Sequence, residues 1–161
     1  MSVQIVVEQL GALIEEHRVL LGISEQKTQM LKNNSAEALQ QNVRDERRQV
    51  QRITRIERER HQQAAALAGA SAEDTVSIDA LKPLASEAER VQLEEGQYEL
   101  IQVMTALQHQ EELNRAMLED AMKYTQVMLS AMQPQESAQY GRQGQMPQRA
   151  KREYSVFDSR A

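Results

Sequence analysis

From Val3 to Leu31 the apolar and small residues recur in steps of three and four without a break. Val3, Val7, Leu10, Ile14, His17, Leu21, Ser24, Thr28 and Leu31 form one stripe; Val6, Leu13 and Leu20 widen it, and Glu8, Glu15, Glu16 and Glu25 lie off it. Strand side chains alternate with a period of two, so this pattern describes an amphipathic helix of about 30 residues, roughly 45 Å long. A helix with an unbroken apolar stripe needs partners along its whole length. The rest of the sequence supplies two more long helices.

Lys32-Asn33-Asn34-Ser35 stops the first helix. Asn34 or Ser35 can cap the next one, with Glu37 three residues after Asn34 closing a capping box. A break this short folds the second helix back on the first. The second helix is expected from about residue 36 to 67. Its apolar positions are Leu39, Val43, Val50, Ile53, Ile56, Ala64 and Leu67, and it carries seven arginines against four acids between Arg44 and Arg60. Ala68-Gly69-Ala70-Ser71 ends it. Ser77 to Leu81 can form one helical turn before Lys82-Pro83. The third long helix is expected from about residue 84 to 132, with a seam of Leu84, Ala88, Val91, Tyr98, Ile101, Met104, Leu107, Asn114, Leu118, Met122, Thr125 and Leu129. Nine acids face three basic residues there, so the basic second helix and the acidic third are expected neighbours. Gly96 and the stretch from Gln108 to Glu112 are where a bend would cost least.

The fold expected is therefore all-α: an elongated antiparallel bundle of three long, coiled-coil-like helices over residues 1–132, followed by a flexible C-terminal tail over 133–161. The tail is rich in Gln, Pro, Gly, Ser and Arg and has no helical period, a composition that cannot bury enough surface to offset ordering. Yet it holds Tyr140, Met146, Tyr154, Val156 and Phe157, which read equally as adhesive points for a partner and as incidental apolar residues of a mobile terminus.

Composition excludes several function classes. Aromatic residues make up 3% and tryptophan is absent, so no large core built on rings is available. The absence of cysteine removes disulfides and thiolate metal sites, and fits a reducing cytoplasm. A formal charge of −5 speaks against nucleic acid as the partner, because that binding is largely phosphate neutralisation. No apolar stretch approaches the ~20 residues that cross a bilayer, so no membrane insertion is expected. The N-terminus lacks the basic region of a signal peptide.

The histidines do not build a reactive centre. His17 lies on the apolar stripe, His61 follows an Arg-Glu-Arg run and is expected to face solvent, and His109 has Glu112 three residues on. A carboxylate-bridged di-iron bundle needs Glu three residues before His, and those positions hold Ile14, Arg58 and Ala106. There is no glycine-rich phosphate loop and no nucleophile elbow, so no catalytic residue, metal or cofactor is expected. Acids interleave the arginine run and no aromatic residue lies within it, which makes it a solvated or internally paired face. Glu111-Glu112 also reads as a solvated face.

Methionine placement is more informative. Met104, Met117, Met122, Met128 and Met132 all fall on the third long helix; the last four are joined by Leu118, Tyr124, Val127 and Leu129. These side chains spread more widely than one narrow seam requires. Flexible, polarizable methionine suits a surface that adapts to a partner's amphipathic helix, and it also fills gaps in a thin core.

Together, the hairpin sequence LIEEHRVLLGISEQKTQMLKNNSAEALQQNVRDERRQVQRI, the long helix after it and Tyr140-Gly141-Arg142-Gln143-Gly144 beyond that helix resemble the FlgN family of flagellar type III export chaperones. The resemblance implies a cytoplasmic chaperone that keeps the hook–filament junction proteins FlgK and FlgL from assembling early and delivers them to the export gate. It implies that the C-terminal part holds the client's amphipathic terminal helix; the residues placed there are Met117, Leu118, Met122, Met128, Leu129 and Met132. It further implies that Tyr140, in its Tyr-Gly-x-x-Gly context with Gly141 and Gly144, docks on the gate protein FlhA. The Arg149-Lys151-Arg152 cluster and the Tyr154-to-Ala161 ending match no part of that pattern. Two other readings of the helices alone are a structural coiled-coil adaptor of another secretion system and a helical RNA- or DNA-binding protein.

Overall fold

The structure, a computed structural model, describes residues 2–133. Helix α1 (Val3–Lys32) is followed by α2 (Ala36–Ala68), the single turn α3 (Ile78–Leu81), a 3-10 turn over Lys82–Leu84, and α4 (Glu87–Met132). The three long helices stand where the hydrophobic spacing puts them, but the helix count is four. The tail expected to be flexible lies outside the described residues.

Two ends differ from expectation because of capping. Ser35 makes no side-chain cap on α2. Asn34 instead takes a left-handed φ of 51°, and the Ser35 N–H closes back on the Met30 carbonyl at 3.2 Å, so the break serves the end of α1. The capping box lies at α4: the Glu89 N–H donates to Ser86 Oγ and the Ser86 N–H to Glu89 Oε2, at 3.3 and 2.8 Å. That box starts α4 at Glu87 and leaves Leu84 in the preceding turn.

Helix α1 is the shared partner. Both α2 and α4 pack along it, whereas α2 and α4 barely touch each other. Helix α2 runs antiparallel to α1: Asn42 Nδ2 donates to the Ile23 carbonyl at 2.9 Å and Gln49 Nε2 to the Glu16 carbonyl at 2.8 Å. Helix α4 runs parallel to α1, with Gly96 beside Leu10 and Asn114 beside Ser24 and Thr28. The expected pairing of basic α2 with acidic α4 is therefore not made. Among the described residues, ion pairs between the long helices run through α1. Lys27 pairs with Glu46 of α2 and, at 3.6 Å, with Glu111 of α4, and Arg18 reaches Glu99 at 3.3 Å.

Packing along α1 divides into two regions. At its N-terminal end, Val3 and Val6 meet Ala64 and Ala65 of α2, Leu93 of α4, and Val76, Leu81 and Ala85 from the α2–α4 connection. That connection, in which the sequence marks only one helical turn, is part of the core. Leu81 is fully buried, and α2 is closed before it by Gly69 at a φ of 65°, with the Ala70 N–H on the Ala65 carbonyl at 2.9 Å. Gly96 lets α4 approach Leu10, a fully buried side chain.

Farther along, the interface turns polar. Asn114 Nδ2 donates to the Ser24 carbonyl and hydroxyl at 2.9 and 3.0 Å, and Thr28 Oγ1 donates to Asn114 Oδ1 at 2.5 Å. Ser24 Oγ donates to Glu111 Oε1, also at 2.5 Å, and Gln110 Nε2 donates to Thr28 Oγ1. Glu111 is thus drawn into the interface rather than left on a solvated face. Ser24, Thr28 and Asn114 are buried. This layer overturns part of the expected seams. Helix α2 faces α1 with Asn42 and Gln49, leaving Val43 and Val50 exposed; α4 turns Leu93 and Asn114 inward, leaving Val91, Tyr98, Ile101 and Met104 exposed. Helix α4 carries more apolar residues than one seam can take, and the polar contacts select which side faces α1.

Two predictions follow from this packing. A methyl group at position 96 would lie 2.6 Å from Leu10 Cδ2, whereas nothing lies within 4 Å of the same position at Gly22. Helix propensity favours alanine by about 1 kcal/mol at both sites, but overpacking costs about 1–3 kcal/mol. Gly22→Ala should therefore raise the melting temperature and Gly96→Ala lower it, as read by circular dichroism. On α2, the Arg60 guanidinium holds the Glu57 carboxyl below its usual range, with Nε and a terminal nitrogen 3.0 and 2.6 Å from the two oxygens, against the opposing effect of burial. A depressed carboxyl contributes stability above its unfolded value, near 4.5, and loses that contribution as pH falls through the lower folded value. Thermal midpoints measured from pH 6 down to pH 3 should fall less steeply in Glu57→Gln than in the parent chain.

Candidate functional site

Two adjoining surfaces stand out, and both follow from α1 being shared. The first is an open groove between α2 and α4 with α1 as its floor. Near the hairpin tip it deepens into a pocket of about 250 Å³ lined by Leu31 and Lys27 of α1, Leu39 and Val43 of α2, and Glu111, Asn114, Arg115 and Leu118 of α4. His17 and Ser24 precede Leu31 by fourteen and seven residues, and Met104 and Glu111 stand in the same relation to Leu118. Heptad spacing keeps each set on one helix face, so the groove continues toward His17, Ile101, Met104 and Gln108, which line a second concavity.

The second surface is the end of α4. Ala121 lines a concavity at the hairpin tip with Met30, Asn34, Ser35 and Ala36. From Met122 to Met132 every residue is exposed, so the helix projects about 17 Å beyond its supports. Its apolar side chains are Met122, Tyr124, Val127, Met128, Leu129 and Met132, with exposures from 39% at Met128 to 72% at Met132. No charge follows Lys123 as far as Met132. At about 100° per residue, Lys123, Gln126 and Ser130 share one flank and apolar groups cover most of the remainder. A helix apolar on most sides is ordinarily buried, and a contiguous exposed apolar surface marks an interaction site.

The residues expected to hold a client divide between these surfaces. Met122, Met128, Leu129 and Met132 lie on the projecting end, Leu118 lines the groove, and Met117 is half-buried. Tyr124 and Val127 belong to the same surface as the methionines. The signal for them in the sequence is the charge-free run after Lys123. Tyr140, Gly141 and Gly144 lie outside the described residues.

The histidines occupy three settings. His17 is half-buried on the groove floor, its Nδ1 donating to the Leu13 carbonyl at 2.7 Å. His61 is not wholly solvent-facing; it is half-buried beside Arg60 and lies 3.0 Å from Glu57. His109 is exposed, 4.0 Å from Glu112. Among the described residues, no three His, Cys, Asp or Glu side chains gather as a metal site, and no helix is long and apolar enough to cross a membrane. Arg44, Arg47, Arg48, Arg52, Arg55 and Arg58 are exposed, while Arg60 is buried against Glu57.

Comparison with known proteins finds similarity in sequence over nearly the whole length. The sequence model of the family described as FlgN protein matches residues 1–148. A Bacillus subtilis (strain 168) protein named Uncharacterized protein YvyG is 31% identical over 164 residues, an alignment covering 100% of both chains. No solved structure matches. With its long-helix architecture and a family match spanning most of its length, the chain belongs to the FlgN family.

Proposed function

We propose that this chain is a flagellar export chaperone that holds hook–filament junction proteins of the FlgK and FlgL kind in the cytoplasm and delivers them to the export gate through FlhA. The observation that carries this reading is the projecting end of α4, an exposed, largely apolar helix with no charge after Lys123, on a chain of the FlgN family. A client's amphipathic terminal helix laid along Met122, Met128, Leu129 and Met132 would cover that apolar end. Holding that helix lowers the concentration of the assembly-competent client by mass action and needs no catalysis.

The triple change Met122→Glu, Met128→Glu and Met132→Glu tests the holding step. All three side chains are exposed, so circular dichroism and the melting temperature should stay near those of the parent, with each change worth within about 0.5 kcal/mol. Titration against a junction-protein C-terminal helix should show binding abolished, because each change sets a charge where the partner must be desolvated. Unchanged affinity with an intact fold counts against the reading.

Delivery is tested at Tyr140. Tyr140→Ala should leave client affinity intact while weakening binding to the soluble domain of the gate protein about thirtyfold, the equivalent of ~2 kcal/mol. Loss of both affinities would assign Tyr140 to the client site, and loss of neither would remove it from the docking role.

A further inference from the structure

The segment beyond the family match carries a pattern that the chaperone reading does not use. Residues 149–161 fall outside the matched span, yet they join the basic cluster Arg149-Lys151-Arg152 to Tyr154, Val156 and Phe157, the last being the only phenylalanine in the chain. Complementary features meet at the hairpin tip. The pocket between Leu31, Leu39, Val43 and Leu118 is largely apolar and open to solvent, and its volume of about 250 Å³ is sufficient for an aromatic ring. On α4, Glu112 and Glu119 are exposed and seven residues apart, hence on one face, and they flank Arg115, which lines the pocket.

We propose that residues 149–161 of this same chain dock across that pocket, with Phe157 inside it and Arg149, Lys151 and Arg152 along Glu112 and Glu119. Tyr154 is then placed over the Arg115 guanidinium, a stacking that suits its ring. Chain length permits the contact. The pocket lies about 21 Å back along α4 from Met132, while the residues between Met132 and Tyr154 can span up to about 70 Å. A tether also raises the local concentration of the segment to the millimolar range, so a small contact is sufficient. A second copy would have to supply the same contact without that advantage. The proposal does not depend on the identity of any client.

The test compares the full chain with a chain ending at residue 148, by methyl NMR of Leu31, Leu39, Val43 and Leu118. The full chain should show ring-current shifts at these methyls. They should vanish in the shortened chain and in Phe157→Ala, and return when a synthetic peptide of residues 149–161 is added to the shortened chain. Raising salt should weaken the peptide's binding, because exposed charge pairs are screened. A photoreactive phenylalanine analogue at position 157 should crosslink to the pocket within one chain, at monomer mass. Identical methyl spectra for the full and shortened chains would overturn the proposal, as would a crosslink found only between two chains.

Discussion

The buried polar layer of Ser24, Thr28 and Asn114 is the interaction on which the rest of the arrangement depends. Apolar seams alone define register poorly, because a helix can slide by a turn and still bury methyl groups. Here a slide would separate Asn114 from both the Ser24 carbonyl and the Thr28 hydroxyl, and each buried group left unpaired costs about 1–3 kcal/mol. A single polar residue fixes register in coiled coils by the same logic. The consequence lies at the far end of the molecule. Once Asn114 is set against Thr28, α1 has only four residues left before it ends at Lys32, whereas α4 runs on to Met132. The projecting apolar end is therefore a product of register and helix length together.

Sharing α1 has a second effect. Because α2 and α4 both pack on one helix and barely on each other, the bundle is open along one side. Closing it would need either larger side chains across the gap or direct pairing of α2 arginines with α4 acids. The interhelical charges go instead to α1, through Lys27 and Arg18. The exposed Val43 of α2 and the exposed Ile101 and Met104 of α4 are then left lining the groove. An unsupported helical end is also the part of the fold with least to hold it, since isolated helices of this length are marginal in water. Pairing with a partner helix would supply the contacts that the hairpin does not.

The extent of the three long helices was legible because the three-and-four spacing is long and regular. The single turn at Ile78 to Leu81 was marked by its stop at Lys82-Pro83. Which face of each helix turns inward was less legible. On α2 the inward positions are Asn42 and Gln49, polar residues that resemble a solvated face until the α1 carbonyls they reach are known. On α4, Tyr98, Ile101 and Met104 repeat as regularly as the residues that pack, and nothing local distinguishes the two stripes. The capping box was misplaced because Asn34 and Ser35 suit the end of α1 as well as the start of α2. At the candidate surface, the methionines of the α4 end could be picked out by type, but their freedom from neighbours depends on where the hairpin stops.

The central claim is that the end of α4 is a binding surface left uncovered by the chain's own fold. Hydrogen–deuterium exchange of the full chain, alone and with a peptide of a junction protein's C-terminal helix, addresses it directly. In the free protein the amides from Met122 to Met132 should exchange far faster than those around Ser24 and Asn114, and the peptide should slow them selectively. Protection by the peptide confined to the outer face of α2, with the α4 end unchanged, would contradict the account.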